Sequence, residues 1–120
     1  GFVSCAEIGF GYFNDGTMGI EHDSQMLDWL GDACDATGVI ACVSWCSGED
    51  GCARGVVERT GASVEAMEGA ACALVGQRLG VRTGELRVIS NTTGDRDDQR
   101  WDLDGALKNL QRVLGRIAQG

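Results

Sequence analysis

The chain has 120 residues, 43% of them apolar, and its 18 acidic against 10 basic side chains give a formal charge of −8. That length suits one domain over residues 1–120 and leaves no room for a second core. A chain this acidic is not expected to bind nucleic acid or anionic membranes, and no stretch approaches the roughly 20 apolar residues of a membrane span.

The charge is unevenly divided. Residues 1–50 hold nine acids and no Lys or Arg, whereas residues 51–120 hold nine acids and ten bases, a pattern read as a solvated acidic face on the first part. There is no proline, where average usage gives roughly six, and the 19 glycines are about twice the usual share. The chain starts at Gly1 without a methionine, which suggests a piece of a longer protein.

Six cysteines (Cys5, Cys34, Cys42, Cys46, Cys52 and Cys72) form no C-x-x-C pair, and His22 is the one histidine. No metal site or cofactor is expected from such spacing. With no secretion signal at the N-terminus, the cysteines read as reduced thiols of a cytoplasmic protein, Cys34, Cys42 and Cys72 acting as small buried hydrophobes.

In chain order, a Gly- and aromatic-rich stretch over 1–20 predicts a strand near residues 2–7 and a loop around Asn14-Asp15-Gly16. Met26, Leu27, Leu30 and Cys34 follow helical spacing, so a helix is predicted over Asp23 to about Asp35. The apolar run Val39 to Trp45 predicts a central strand covered on both faces. A helix follows over 50–60, closed by Gly61, then an extended piece over 62–65 and a helix over 68–79, stopped by Gly80. Ala71, Leu74, Val75 and Leu79 are predicted to line the buried side of that helix.

Residues 85–90 (Glu-Leu-Arg-Val-Ile-Ser) predict a further strand that opens into a polar loop over 91–100. Leu103, Leu107, Leu110, Val113, Leu114 and Ile117 then mark a final amphipathic helix, with Asp102 as N-cap and Lys108, Arg112 and Arg116 on the solvent side. The alternation of strands and helices predicts a three-layer α/β sandwich with a mostly parallel sheet.

Ligands of such folds bind beyond the carboxyl ends of the strands, where two clusters stand. In the first, Val64-Glu65-Ala66-Met67-Glu68-Gly69, two carboxylates flank a helix start. A carboxylate there has the oxygen spacing to accept the paired hydroxyls of a ribose, or else simply complements the helix dipole. In the second, Ser90-Asn91-Thr92-Thr93-Gly94-Asp95-Arg96-Asp97, the Asn91 amide offers a donor and an acceptor in one plane to a purine edge such as that of hypoxanthine; alternatively Asn91 starts a turn.

Taken together, V-E-A-M-E-G-A-A, L-R-V-I-S-N-T-T-G-D-R-D about 15 residues on, and W-D-L before an amphipathic helix resemble the C-terminal half of the nucleoside phosphorylase/nucleosidase superfamily, and within it the futalosine hydrolases. The likeness covers residues 38–118 well and 1–37 loosely. It implies a nucleosidase that releases hypoxanthine from futalosine in menaquinone biosynthesis, with a small purine nucleoside as partner. Met67 would pack on the ribose, Glu68 would hold its hydroxyls, and Ser90 and Asn91 would face the base. Asp95 would be a second proton-delivery residue should its loop fold back.

The family also carries a first strand, a glycine-rich loop and a water-activating acid with no counterpart here, so the fold is expected to be incomplete. A homo-oligomer, or association with an N-terminal half, would then cover its exposed surface. Two other readings are a purine nucleoside phosphorylase and a non-catalytic α/β module that binds a purine nucleoside or a protein partner.

Overall fold

The computed structural model describes residues 19–119; the strand expected near residues 2–7 and the loop at 14–16 lie outside them. Six elements follow in order: α1 (Ser24–Gly31), β1 (Ile40–Cys42), α2 (Asp50–Thr60), β2 (Val64–Ala66), α3 (Gly69–Leu79) and α4 (Leu103–Ile117). Strands β1 and β2 pair in parallel, with Ile40 opposite Val64, Ala41 opposite Glu65 and Cys42 opposite Ala66. The pairing runs one step further at each end, through Ser63 N to Val39 O at 3.3 Å and Val43 N to Ala66 O at 2.8 Å. Helix α2 is the crossover that a parallel pair requires. The core beneath it joins Ala41 and Val43 of the first strand region to Val56 of α2 and to Ala62.

The continuous run 39–45 is not covered on both faces. Ala41 and Val43 are buried while Cys42 and Ser44 are exposed, the alternation of a strand packed on one side only. The cysteines expected inside follow suit, for Cys42 and Cys72 are exposed and Cys34 is half-buried. Helix α1 is shorter than its apolar spacing predicts. Asp23 caps it by accepting from Met26 N at 3.0 Å, and Asp32 ends it before Cys34 can join.

Helix α3 buries a different face from the one its larger apolar residues mark. Gly69, Ala73 and Gly76 are buried, whereas Ala71, Val75 and Leu79 are exposed and Leu74 is half-buried. The small face is occupied by the chain that returns after Gly80. Val81 N bonds Gly76 O at 2.9 Å, the Thr83 methyl lies where a side chain on Gly76 would stand, and the Glu85 carboxylate lies where one on Gly69 would stand. Residues 81–85 therefore run back along α3 from its end to its start. Helix α1 closes their other side, with Asp23 N bonded to Thr83 O at 3.1 Å and Leu30 against Gly84.

The strand predicted over residues 85–90 is not formed. Among the described residues their backbone meets no strand edge, and the segment is fixed by side chains instead, apart from the antiparallel bridge between Asn91 and Trp101 that follows it.

Helix α4 begins as its sequence predicts, with Asp102 accepting from Gly105 N at 2.9 Å. Ala106 and Val113 are buried, but Leu103, Leu107 and Leu114 of the same stripe are half or more exposed. Arg112 and Arg116 stay partly exposed to solvent, where they bond Asp35 at 2.6 Å and the carbonyl of Ala33 at 3.2 Å. No described helix is long and apolar enough to cross a membrane.

Candidate active site at the carboxyl ends of the strands

Beyond β1 the turn that holds Ser47 is bonded both to β2 and to the loop 91–100. Ser47 and Glu65 make the link to β2. Glu65 Oε2 accepts from Ser47 N and Oε1 from Ser47 Oγ, both at 2.7 Å, and Ser47 is buried. A hydroxyl and an amide removed from water need an acceptor, and an ionised carboxylate is the strongest at hand.

The loop 91–100 is anchored to the same turn. Its neck is closed by Asp102 N to Ser90 O at 2.7 Å and Thr92 N to Arg100 O at 3.1 Å. Gln99 Nε2 then donates to Ser47 O at 3.2 Å and Gly94 O at 2.9 Å. At the tip, Asp50 N donates to Asp95 Oδ1 at 2.9 Å while Asp95 N donates to Asp50 Oδ1 at 3.1 Å. Glu49, the N-cap of α2, makes no side-chain cap bond, so Asp95 caps that helix from a distant part of the chain. Asp95 is thereby bonded at the start of α2.

Glu68 is the N-cap residue of α3, yet its side chain caps no backbone amide. Its carboxylate, 68% exposed, pairs instead with the Arg87 guanidinium at 3.3 Å. Arg87 Nε donates to Glu85 Oε1 at 2.6 Å. That bond, opposed by desolvation and helped by the charges of Glu85 and Glu68, raises the Arg87 guanidinium above its ordinary value and keeps it cationic. Met67, beside Glu68, is half exposed.

Asn91 has its amide plane set by two local bonds. Ser90 Oγ donates to Asn91 Oδ1 at 2.9 Å, and Asn91 Nδ2 donates to Thr92 O at 2.9 Å. A carboxamide has two N–H donors and two acceptor lone pairs, so each end keeps capacity for a ligand. Ser90 and Asn91 thus work as a pair, Met67 and Glu68 share the turn after β2, and Arg87 ties Glu68 to the segment that leads into Ser90. Asp95 is bonded to Asp50 at the start of α2.

Sequence reasoning did not single out Ser47, Gln99, Glu85 or Arg87. For the last two a signal was present, since in an extended segment residues i and i+2 lie on one side, which places an acid and a base together before Ser90. Ser47 and Gln99 act through contacts distant in sequence that no local pattern announces.

The arrangement is an α/β fold with its polar groups gathered past the ends of parallel strands. Residues 33–119 match the phosphorylase superfamily, and the chain belongs to that family. Within it, the chain is similar to three futalosine hydrolases. It is 49% identical to that of Acidothermus cellulolyticus over 57 residues, 48% of this chain and 23% of the relative. The Thermus thermophilus enzyme is 46% identical over 65 residues, 54% of this chain and 29% of the relative. That of Streptomyces coelicolor is 41% identical over 58 residues, 48% of this chain and 25% of the relative. The matched stretches therefore span about a quarter of each relative's length. No solved structure matches the chain.

Proposed function

We propose that the protein cleaves the N-glycosidic bond of a purine nucleoside, releasing hypoxanthine from futalosine in the cytoplasm as a step of menaquinone biosynthesis. The observation that carries this reading is Glu68, an exposed carboxylate just past a parallel strand, held from behind by Arg87. The similarity to futalosine hydrolases, and a phosphorylase-superfamily match over residues 33–119 that includes both clusters, support the choice of substrate.

Glycosidic cleavage develops positive charge on the sugar and negative charge on the departing base. In this reading Glu68 accepts the ribose hydroxyls and Met67 packs against the sugar. A carboxylate close to the ring also opposes the growing positive charge. Asn91, oriented by Ser90, donates from Nδ2 to N7 or O6 of hypoxanthine, where a neutral hydrogen bond stabilises the charge that the base acquires. Asp95 takes the role of loop anchor, since both its carboxylate and its amide are bonded to Asp50. The exposed Trp101, Leu103, Leu107 and Leu114 support a working form in which this surface meets another copy of the chain or further nucleosidase sequence.

The direct test is incubation of the purified protein with futalosine, with and without phosphate, while hypoxanthine is followed by chromatography. Release that does not depend on phosphate is expected, and Glu68→Gln or Asn91→Ala should each slow it at least roughly tenfold. Phosphate-dependent release would make the protein a phosphorylase, and unchanged rates in both variants would remove the assigned roles. Absence of release, together with absence of inosine binding in calorimetry, would overturn the reading.

A further inference from the structure

The carboxylate of Glu85 has no place in the chemistry above, yet it is the less exposed end of a chain of charged groups that ends on Glu68. Its side chain is 13% exposed. It lies against Gly69, in the space that a side chain there would fill, so the residue next to Glu68 has to be glycine for Glu85 to sit where it does. Its Oε1 accepts from Arg87 Nε at 2.6 Å, and its Oε2 lies 3.6 Å from His22 Nε2. His22 is fixed in turn by a 3.2 Å hydrogen bond between its Nδ1 and Thr83 Oγ1.

Withdrawing a carboxylate from water is costly unless it is well paired. What Glu85 does with its pairing is to set the plane of Arg87. A guanidinium is a rigid planar fork, so engaging Nε fixes the direction in which its terminal N–H groups point. Here one of them points at Glu68 Oε2, 3.3 Å away. Without Glu85, Arg87 would regain the rotamers of an exposed arginine, and Glu68 would lose the contact that orients it.

We propose that Glu85, seated on Gly69, is a positioning residue that acts through Arg87 to present the Glu68 carboxylate to the two hydroxyls of a ribose. This rests on the reading of Glu68 as the ribose-holding group and deepens it: Glu85 sets the discrimination between ribonucleosides and 2′-deoxyribonucleosides. The mechanism is preorganisation. A carboxylate already aimed loses less freedom when it accepts two O–H bonds at once, and a ligand with one hydroxyl gains less from that aim.

The test compares inosine and 2′-deoxyinosine binding to the full chain by calorimetry, in the wild type and in Glu85→Gln, Gly69→Ala and Arg87→Lys. The wild type should prefer inosine. Glu85→Gln should reduce that preference at least about fivefold by weakening inosine, leaving 2′-deoxyinosine within about twofold, as expected for the loss of one charge-assisted contact. Gly69→Ala, whose methyl group takes the space of the Glu85 carboxylate while every polar group is kept, should do the same. Arg87→Lys, which keeps the charge but not the planar fork, gives the same readout if Glu85→Gln fails to fold by circular dichroism. A general loss of structure would weaken both nucleosides equally. Folded Glu85→Gln or Arg87→Lys protein that keeps the wild-type preference overturns the role of Glu85 and leaves that of Glu68 standing. A wild type that shows no preference, or binds neither nucleoside, overturns both.

Discussion

The carboxylate of Glu65 receives both the backbone amide and the hydroxyl of Ser47, each at 2.7 Å. The pair stitches the turn after β1 to β2 at the very end of the sheet, and Gln99 adds the loop 91–100 to the same point. Glu65→Ala would leave two donors of a buried residue without their acceptor. A loss of about 2–4 kcal/mol is expected, visible as a lower urea midpoint, whereas Ser47→Ala, which removes one bond and its donor together, should cost about 1 kcal/mol. Equal and small effects of both changes would show that the stitch contributes little.

Asp95 caps α2 from outside, because Glu49 does not do so itself. Asp95→Ala should lower stability by about 1 kcal/mol, the usual worth of an N-cap, and Asp95→Asn, which keeps an acceptor oxygen, by less. Since Asp50 and Asp95 bond each other reciprocally, the double variant Asp50→Ala/Asp95→Ala should cost less than the sum of the single ones. Strict additivity in chemical denaturation would contradict a shared clamp.

Gly94 has φ +106, and a Cβ built there would stand 2.5 Å from Asp50 Oδ1. Gly94→Ala should therefore cost about 1–3 kcal/mol through its backbone conformation, with the clash added. In an Asp50→Ala background only the backbone part should remain. Thermal denaturation of the four proteins separates the two contributions, and an unchanged midpoint for Gly94→Ala alone would argue against this loop conformation.

Arg87 is held above its ordinary value, first by its bond to Glu85. A base raised in the folded state contributes stability that is complete below its unfolded value and disappears only as pH climbs through the still higher folded one. The stability difference between wild type and Arg87→Gln should thus stay constant from about pH 7 to pH 10 in urea titrations. A difference that fades across that interval would mean that Arg87 is not the group responsible.

How much of this could be read from the residues alone depends on how local each feature is. Helix α4 could be read because a six-residue apolar repeat and the Asp102 cap lie within one segment, and α2 and α3 because Gly61 and Gly80 stop them, both in the left-handed conformation. The segment 85–90 reads as a strand by composition, but whether a β-like stretch finds an edge to pair with is decided elsewhere in the chain. The buried face of α3 departs from its sequence pattern for a related reason. Large apolar residues usually mark the inside, yet here the returning chain comes so close that only Gly69, Ala73 and Gly76 fit beneath it. In the site, the Met67-Glu68 and Ser90-Asn91 pairs stood out as motifs. Their supports, Arg87 and Glu85, stood in plain view as a charge pair, and lacked only the knowledge that the chain folds them back toward Glu68.

The two-stranded ladder also has a consequence for the order of assembly. Ile40 meets Val64 only after the twenty-three residues between them, including all of α2, have been drawn into a closed loop, and a ladder three residues long returns little until that closure is complete. Glu68 lies two residues past the end of β2. Refolding kinetics should accordingly show α-helical signal ahead of nucleoside affinity, with the latter gained in the slow step that brings the strands side by side.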